Sequence, residues 1–150
     1  MRGKVSFVVA GVAVGKGRSR HAKIRTKDGR EFDMEYTPEK TRNFEQCVRL
    51  EYERQAGCEM YPKDAALAMK VTVYKPIPKS MTKKDRARVC TGELRPGKKP
   101  DISNIIKSIE DGLNGVAYMD DNQIVDQHGI SFYAETPCTL VEIEEIGKRE

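Results

Sequence analysis

Five apolar residues, Ile102, Ile105, Ile106, Ile109 and Leu113, recur at spacings of three and four. That spacing predicts one apolar stripe along an amphipathic helix, and the stripe must face the core. On a different face Asn104, Lys107 and Asp111 fall at i, i+3 and i+7, and Ser103 lies four residues before Lys107. Polar groups therefore line up along the solvent side of the helix. Asp101 or Ser103 supplies an N-cap just after Pro100, and Gly112 with Asn114-Gly115 supplies the left-handed or turn conformations that end the helix. A strand is predicted over Val116 to Met119, then a turn at Asp120-Asp121-Asn122 and a second strand from Gln123 to Gln127. If strand and helix pack together, a carboxylate from the turn meets one from the helix start.

Taken singly, each of these residues has an ordinary structural reading. Asp101 is a helix cap, Asp-Asp-Asn an exposed turn, and Lys107 a solvated residue paired with Asp111 at i+4. Taken together they suggest a cation site. Carboxylates suit hard Mg2+, which one or two of them hold while phosphate and water complete its shell. Such an ion activates water and stabilises a phosphodiester transition state.

Charge segregation points to a phosphate-rich partner. Residues 2–30 carry nine Lys/Arg against one acid, net +8, and residues 75–99 carry nine against two, net +7. Residues 110–150 carry two bases against ten acids, net −8, so the overall +4 conceals two basic segments beside an acidic one. A polyanion is drawn to the former and meets the acids only where a cation neutralises them. The plain alternative is solubility or a disordered arm. Lys16-Gly17-Arg18-Ser19-Arg20-His21 and Lys98-Lys99, set among small or turn-forming neighbours, are read as phosphate contacts through Lys16, Arg18, Arg20, Lys98 and Lys99.

A chain of 150 residues, 38% hydrophobic, builds one ordinary core, so a single domain over 1–150 is expected. The apolar run Val5 to Val14 is too short to span a bilayer, lacks signal-peptide order, and reads as a strand. Cys47, Cys58, Cys90 and Cys138 show no zinc spacing and read as reduced thiols of a cytosolic protein; two disulfides are the alternative. Met34 to Tyr36 suggests a short strand. Thr37-Pro38-Glu39-Lys40 opens a helix running to Gly57, with Phe44, Cys47, Val48 and Tyr52 on its apolar side. Alternation over Leu67 to Tyr74 marks the clearest half-buried strand. A short basic helix capped by Ser80 or Thr82 runs through Arg88, a Gly/Pro/Lys loop from Gly92 to Pro100 leads to Asp101, and Thr139 to Ile146 alternates as a last strand.

The segment KKPDISNIIKSIEDGLNGVAYMDDNQIVD resembles the signature of the RusA-type Holliday junction resolvases. In that signature Pro-Asp-x-Asp-Asn-x-x-Lys precedes Asp-(Ala/Gly)-Leu-Asn-Gly and then Asp-Asp-x-Gln-(Ile/Val). GKGRSR, YTPEKTRNFE and PIPKSMTKK leading through GELRPGKKPD are similar to the Gram-positive and phage branch, so the resemblance spans roughly the whole chain.

The resemblance implies an α+β subunit, a mixed β-sheet packed with two main helices. It further implies a symmetric homodimer that makes paired, Mg2+-dependent cuts in four-way DNA junctions during recombination and repair, with no membrane segment and no organic cofactor. Carried over by position, Asp101 is similar to the first metal-binding aspartate, Lys107 to the catalytic lysine, Asp121 to the late aspartate and Asp120 to its acidic neighbour. Ser103 stands where the family has a second metal-binding aspartate. A neutral hydroxyl attracts a divalent cation less than a carboxylate does. Three explanations stand: compensation by Asp120 or water, loss of cleavage leaving a junction-binding protein, or an introduced substitution. A generic basic RNA- or protein-binding domain is a third function class, and it leaves the ordered Asp-Lys-Asp-Asp pattern unexplained.

Overall fold

A computed structural model describes residues 3–17 and 20–150, Arg20 in its backbone only. Four strands, β1 (Val5–Ala10), β4 (Ala65–Pro76), β5 (Ile124–Ala134) and β6 (Cys138–Lys148), form a mixed sheet in the order β1-β6-β4-β5. The β4–β5 pair is parallel and the others are antiparallel. A separate antiparallel hairpin joins β2 (Arg20–Arg25) to β3 (Glu31–Tyr36). The described residues also form three α-helices: α1 (Glu39–Ala56), α2 (Lys83–Cys90) and α3 (Ile102–Leu113). The architecture is the expected α+β with a mixed sheet.

Burial explains which elements form the body. Leu67, Met69, Val71 and Val73 of β4 point to one face with Phe7, Val9, Val141 and Ile143, and all are buried. Against that face lie Phe44, Val48 and Tyr52 of α1 and Ile105, Ile106, Ile109 and Leu113 of α3. The α3 stripe thus faces the core as its periodicity requires, whereas α2, with weak amphipathicity, buries no residue. Cys47, expected on the apolar side of α1, is exposed, and all four cysteines are free thiols.

The two core helices approach closely at Gly112. A Cβ there would lie 2.8 Å from the Glu45 carbonyl oxygen of α1, so a hydrogen is all the crossing admits. Gly112 is therefore inside α3 and a packing residue, not part of its stop. The stop is at Asn114-Gly115, with Gly115 at φ +76°. Arg49 of α1 donates to the Gly112 and Asn114 carbonyls at 3.3 Å each, satisfying acceptors the helix end leaves open.

Three other expectations change. Val116–Met119 is not a strand but a compact set of turns, with only an isolated bridge between Asn114 and Tyr118. Its apolar side chains are inserted locally: Ala117 and Tyr118 are fully buried, and the Ala117 carbonyl accepts from Tyr61 N–H at 2.8 Å. β1 ends at Ala10, before the run to Val14 is complete, and β5 continues well past Gln127 to Ala134 because it pairs with β4 along nearly its whole length.

Candidate active site

The loop before α3 is fixed from the sheet. Lys75, at the end of β4, donates through Nζ to the carbonyls of Lys98 at 2.7 Å and Pro100 at 2.6 Å. Burial lowers the pKa of this ammonium, and the nearby Asp101 charge partly opposes that effect. Farther along the loop, Arg95 sits 4.4 Å above the Phe132 ring, which itself stacks on Tyr74. Pinned in this way, the loop delivers Asp101 to the N-cap of α3, where Oδ1 accepts from Asn104 N–H at 3.0 Å. Ser103 Oγ lies 3.5 Å from the same oxygen, so hydroxyl and carboxylate share the helix start. Asp101, and not Ser103, is the cap.

A second anchor holds the acidic turn. Gln123 is fully buried; its Nε2 donates to Pro62 and Ala65 carbonyls at 3.0 and 3.3 Å, and its Oε1 accepts from Met119 N–H at 3.0 Å. The single 3-10 turn Asp121–Gln123 is thereby tied to the start of β4. Asp120 caps that turn, accepting from Asn122 N–H at 2.9 Å, and this bond chiefly holds its carboxyl below the usual range. The Gln of the Asp-Asp-x-Gln pattern is thus what presents both aspartates.

Lys107 joins the two halves. Its Nζ lies 3.0 Å from Asp121 Oδ2 and 3.1 Å from Asp111 Oδ1. The Asp121 bond, above all, raises its pKa well beyond the ordinary lysine value. Glu110, one residue before Asp111, is buried and accepts a hydrogen bond from Gln127 Nε2. Its pKa is raised, first by burial and then by the Asp121 charge. Sequence reading missed this acid because it falls at the edge of the apolar stripe.

Of the expected phosphate contacts, Lys98 and Lys99 are exposed, at the mouth of α3. Lys16 is not free: its Nζ is paired with Glu45 Oε1 at 2.7 Å and Asp111 Oδ2 at 2.9 Å. The segment around it is strapped to both core helices. Lys16 N–H donates to the Asn104 carbonyl at 3.0 Å, Ser108 Oγ donates to the Val14 carbonyl at 2.7 Å, and Gly17 N–H donates to Thr41 Oγ1 at 3.1 Å. Arg18 lies outside the described residues, and Arg20 begins β2. Lys40 was not singled out by sequence, yet with Lys16, Lys99, Pro100 and Asn104 it lines an open cavity of about 450 Å³ beside the start of α3.

Among the described residues no three of His, Cys, Asp and Glu converge into a ready-made ion cage. The donor set nevertheless fits a hard divalent ion. Asp101 and Asp120 are exposed and Asp121 is half-buried with Oδ2 bonded to Lys107, and magnesium commonly takes only one or two carboxylates from protein with the rest from phosphate and water.

Comparison with known proteins gives the family of the chain. The chain is 34% identical to the uncharacterized protein YqaN of Bacillus subtilis (strain 168), over 95% of this chain and 96% of that protein. No helix among the described residues is long and apolar enough to cross a membrane. The family model for endodeoxyribonuclease RusA matches residues 10–144, a span that takes in the pinned loop, Lys107 and the acidic turn. Nucleases of that family generally depend on a divalent metal. With that match, the chain belongs to the RusA family of endodeoxyribonucleases, which resolve Holliday junctions.

Proposed function

We propose that this protein is an Mg2+-dependent, structure-selective endonuclease that cuts four-way DNA junctions as a homodimer. The observation that carries the reading is Lys107, held at 3.0 Å from Asp121 with Asp101 at the head of its own helix. An ammonium held between carboxylates, on the helix that Asp101 caps, is an arrangement that takes a phosphodiester anion once a divalent cation offsets the acids.

Asp101, Asp120 and Asp121 are the residues assigned to hold the ion, with the Ser103 hydroxyl as a neutral neighbour. When bound there, magnesium acidifies water and offsets negative charge on phosphate. Lys107 has a mobile four-carbon stem and three N–H donors, and it is the group suited to hydrogen-bond a non-bridging phosphate oxygen as charge grows in the transition state. Asp101 keeps the head of α3 polar and fixed, so the phosphate meets a set geometry. Lys98, Lys99 and Lys40 supply contacts to the DNA backbone, which position the duplex arms without reading bases. Two subunits related by a twofold axis present two such sites to the symmetric strands of a junction.

Ser103 supports a second reading, a protein that binds junctions and cuts them weakly. The decisive experiment is nicking of a labelled four-way junction against linear duplex, with Mg2+ and with chelator. Junction-selective nicks that need Mg2+ support the nuclease; retention without nicks supports the binder. A large gain in rate for Ser103→Asp identifies Ser103 as the weak point.

A further inference from the structure

Five charged side chains form one alternating chain: Glu45, Lys16, Asp111, Lys107 and Asp121. Successive contacts are 2.7, 2.9, 3.1 and 3.0 Å. They come from four separate places, α1, the strap at residues 13–17, α3, and the acidic turn. The close crossing at Gly112 brings α1 and α3 together beside two of the acids, and Lys16 lies between Glu45 and Asp111. That ammonium carries a raised pKa: burial opposes it, but the bonds to Glu45 and Asp111 prevail.

Asp111 divides its carboxylate, Oδ2 to Lys16 and Oδ1 to Lys107. The Lys16 end is sheltered, with side chains 18–24% exposed, whereas Lys107 is 51% exposed. A sheltered ion pair keeps one geometry, while an exposed lysine alone samples many. Glu110 does not compete for this role, because its carboxylate is bonded to Gln127.

We infer that Asp111, anchored by Lys16, is a positioning residue that holds the Lys107 ammonium shared between α3 and the acidic turn, so that Asp121 is not wholly neutralised by lysine. When a phosphate oxygen takes one donor of Lys107, Asp111 retains the side chain. Without Asp111, Lys107 collapses onto Asp121 and competes there with the divalent cation. The inference rests on the assignment of Lys107 and Asp121 to the phosphate site.

Asp111→Asn, Lys16→Met, Lys16→Arg and the double variant Lys16→Met/Asp111→Asn test it. Three quantities are measured: single-turnover junction cleavage, junction Kd in chelator, and the Mg2+ concentration at the midpoint of thermal stabilisation. Asp111→Asn is expected to slow cleavage by about tenfold or more, to raise the Mg2+ midpoint severalfold, and to leave the Kd unchanged. Lys16→Arg retains wild-type behaviour, Lys16→Met falls in the same direction as Asp111→Asn, and the double variant is no worse than Asp111→Asn alone, because one device is being removed twice. If Asp111→Asn does not fold, Lys16→Met carries the same readouts. An unchanged Mg2+ midpoint, or losses that simply add, overturns the inference even if the wild type only binds junctions. Failure of the underlying site assignment shows differently, as Lys107→Ala cutting at the wild-type rate.

Discussion

Lys107 reaches from the middle of α3 to Asp121 in the acidic turn, 3.0 Å between Nζ and Oδ2 across fourteen residues of chain. The contact joins the two segments that carry every acid assigned to the reaction. Asp121→Asn and Lys107→Met are each expected to slow cleavage by about a hundredfold or more. Junction binding in chelator should change little in both. Equal cutting by wild type and both variants would remove this pair from the mechanism.

Asp101 caps α3 and is proposed to hold the ion, two roles that substitution can separate. Asparagine keeps an oxygen for the Asn104 N–H but has no charge, so Asp101→Asn is expected to retain stability and lose cleavage. Asp101→Ala also loses the cap, about 1 kcal/mol in urea denaturation. Equal stability of the two variants would mean that the capping bond contributes nothing.

Gln123 is a buried amide with three partners, and Gln123→Leu removes its bonds to the Met119 N–H and to the Ala65 and Pro62 carbonyls, of which Pro62 keeps the Ala65 N–H. A loss of about 2–4 kcal/mol is expected from unfolding curves. Cleavage by the molecules that remain folded should also fall, because the turn bearing Asp121 is released. Wild-type stability would show that the amide only fills space.

Gly112→Ala tests the helix crossing. Its methyl group would press on the Glu45 backbone, which cannot yield as a flexible side chain would, and a cost of about 1–3 kcal/mol is expected. A neutral result in chemical denaturation would contradict the closeness of the crossing.

Glu110 gives stability a pH dependence of definite sign. Its folded pKa is raised by burial and then by Asp121, so the folded state favours the protonated acid. That contribution is complete below the unfolded carboxylate range and is lost as pH rises through the folded value. Glu110→Gln, which keeps an acceptor for Gln127, should therefore raise the Tm relative to wild type at neutral pH, with the gap closing in acid. A gap that widens on acidification would reverse the assignment.

Much of this was legible in the chain. The Ile102–Leu113 stripe, α1 from Pro38 onward and the alternation of β4 are local signals, and each forms as its period dictates. Periodicity failed where burial was decided at long range. Val116–Met119 has the composition of a strand, but Tyr118 donates to the Glu110 carbonyl at 2.8 Å and folds the segment onto the helix it has just left. β2 went unseen because its residues alternate as Arg, His, Ala, Lys, Ile and Arg, with two apolar members among basic ones that read as a phosphate loop. In the site, the clustering of Asp101, Lys107 and Asp121 was visible in the sequence, but their roles came from the resemblance to the RusA signature and not from spacing. The partners of Lys16 were not visible there, since Glu45 and Asp111 lie 29 and 95 residues away and only the helix crossing brings them to it.

The two anchors of the site grip opposite ends of one strand: Gln123 bonds to Ala65, and Lys75 reaches the loop before Asp101. β4 is thus the ruler against which both halves of the site are set out, and the intervening connection is scaffolding that need not keep its dimensions. Within that connection α2 buries nothing, so its length and composition are free to drift or to be re-engineered for new junction arms while the spacing between lysine and carboxylates stays gauged by the sheet.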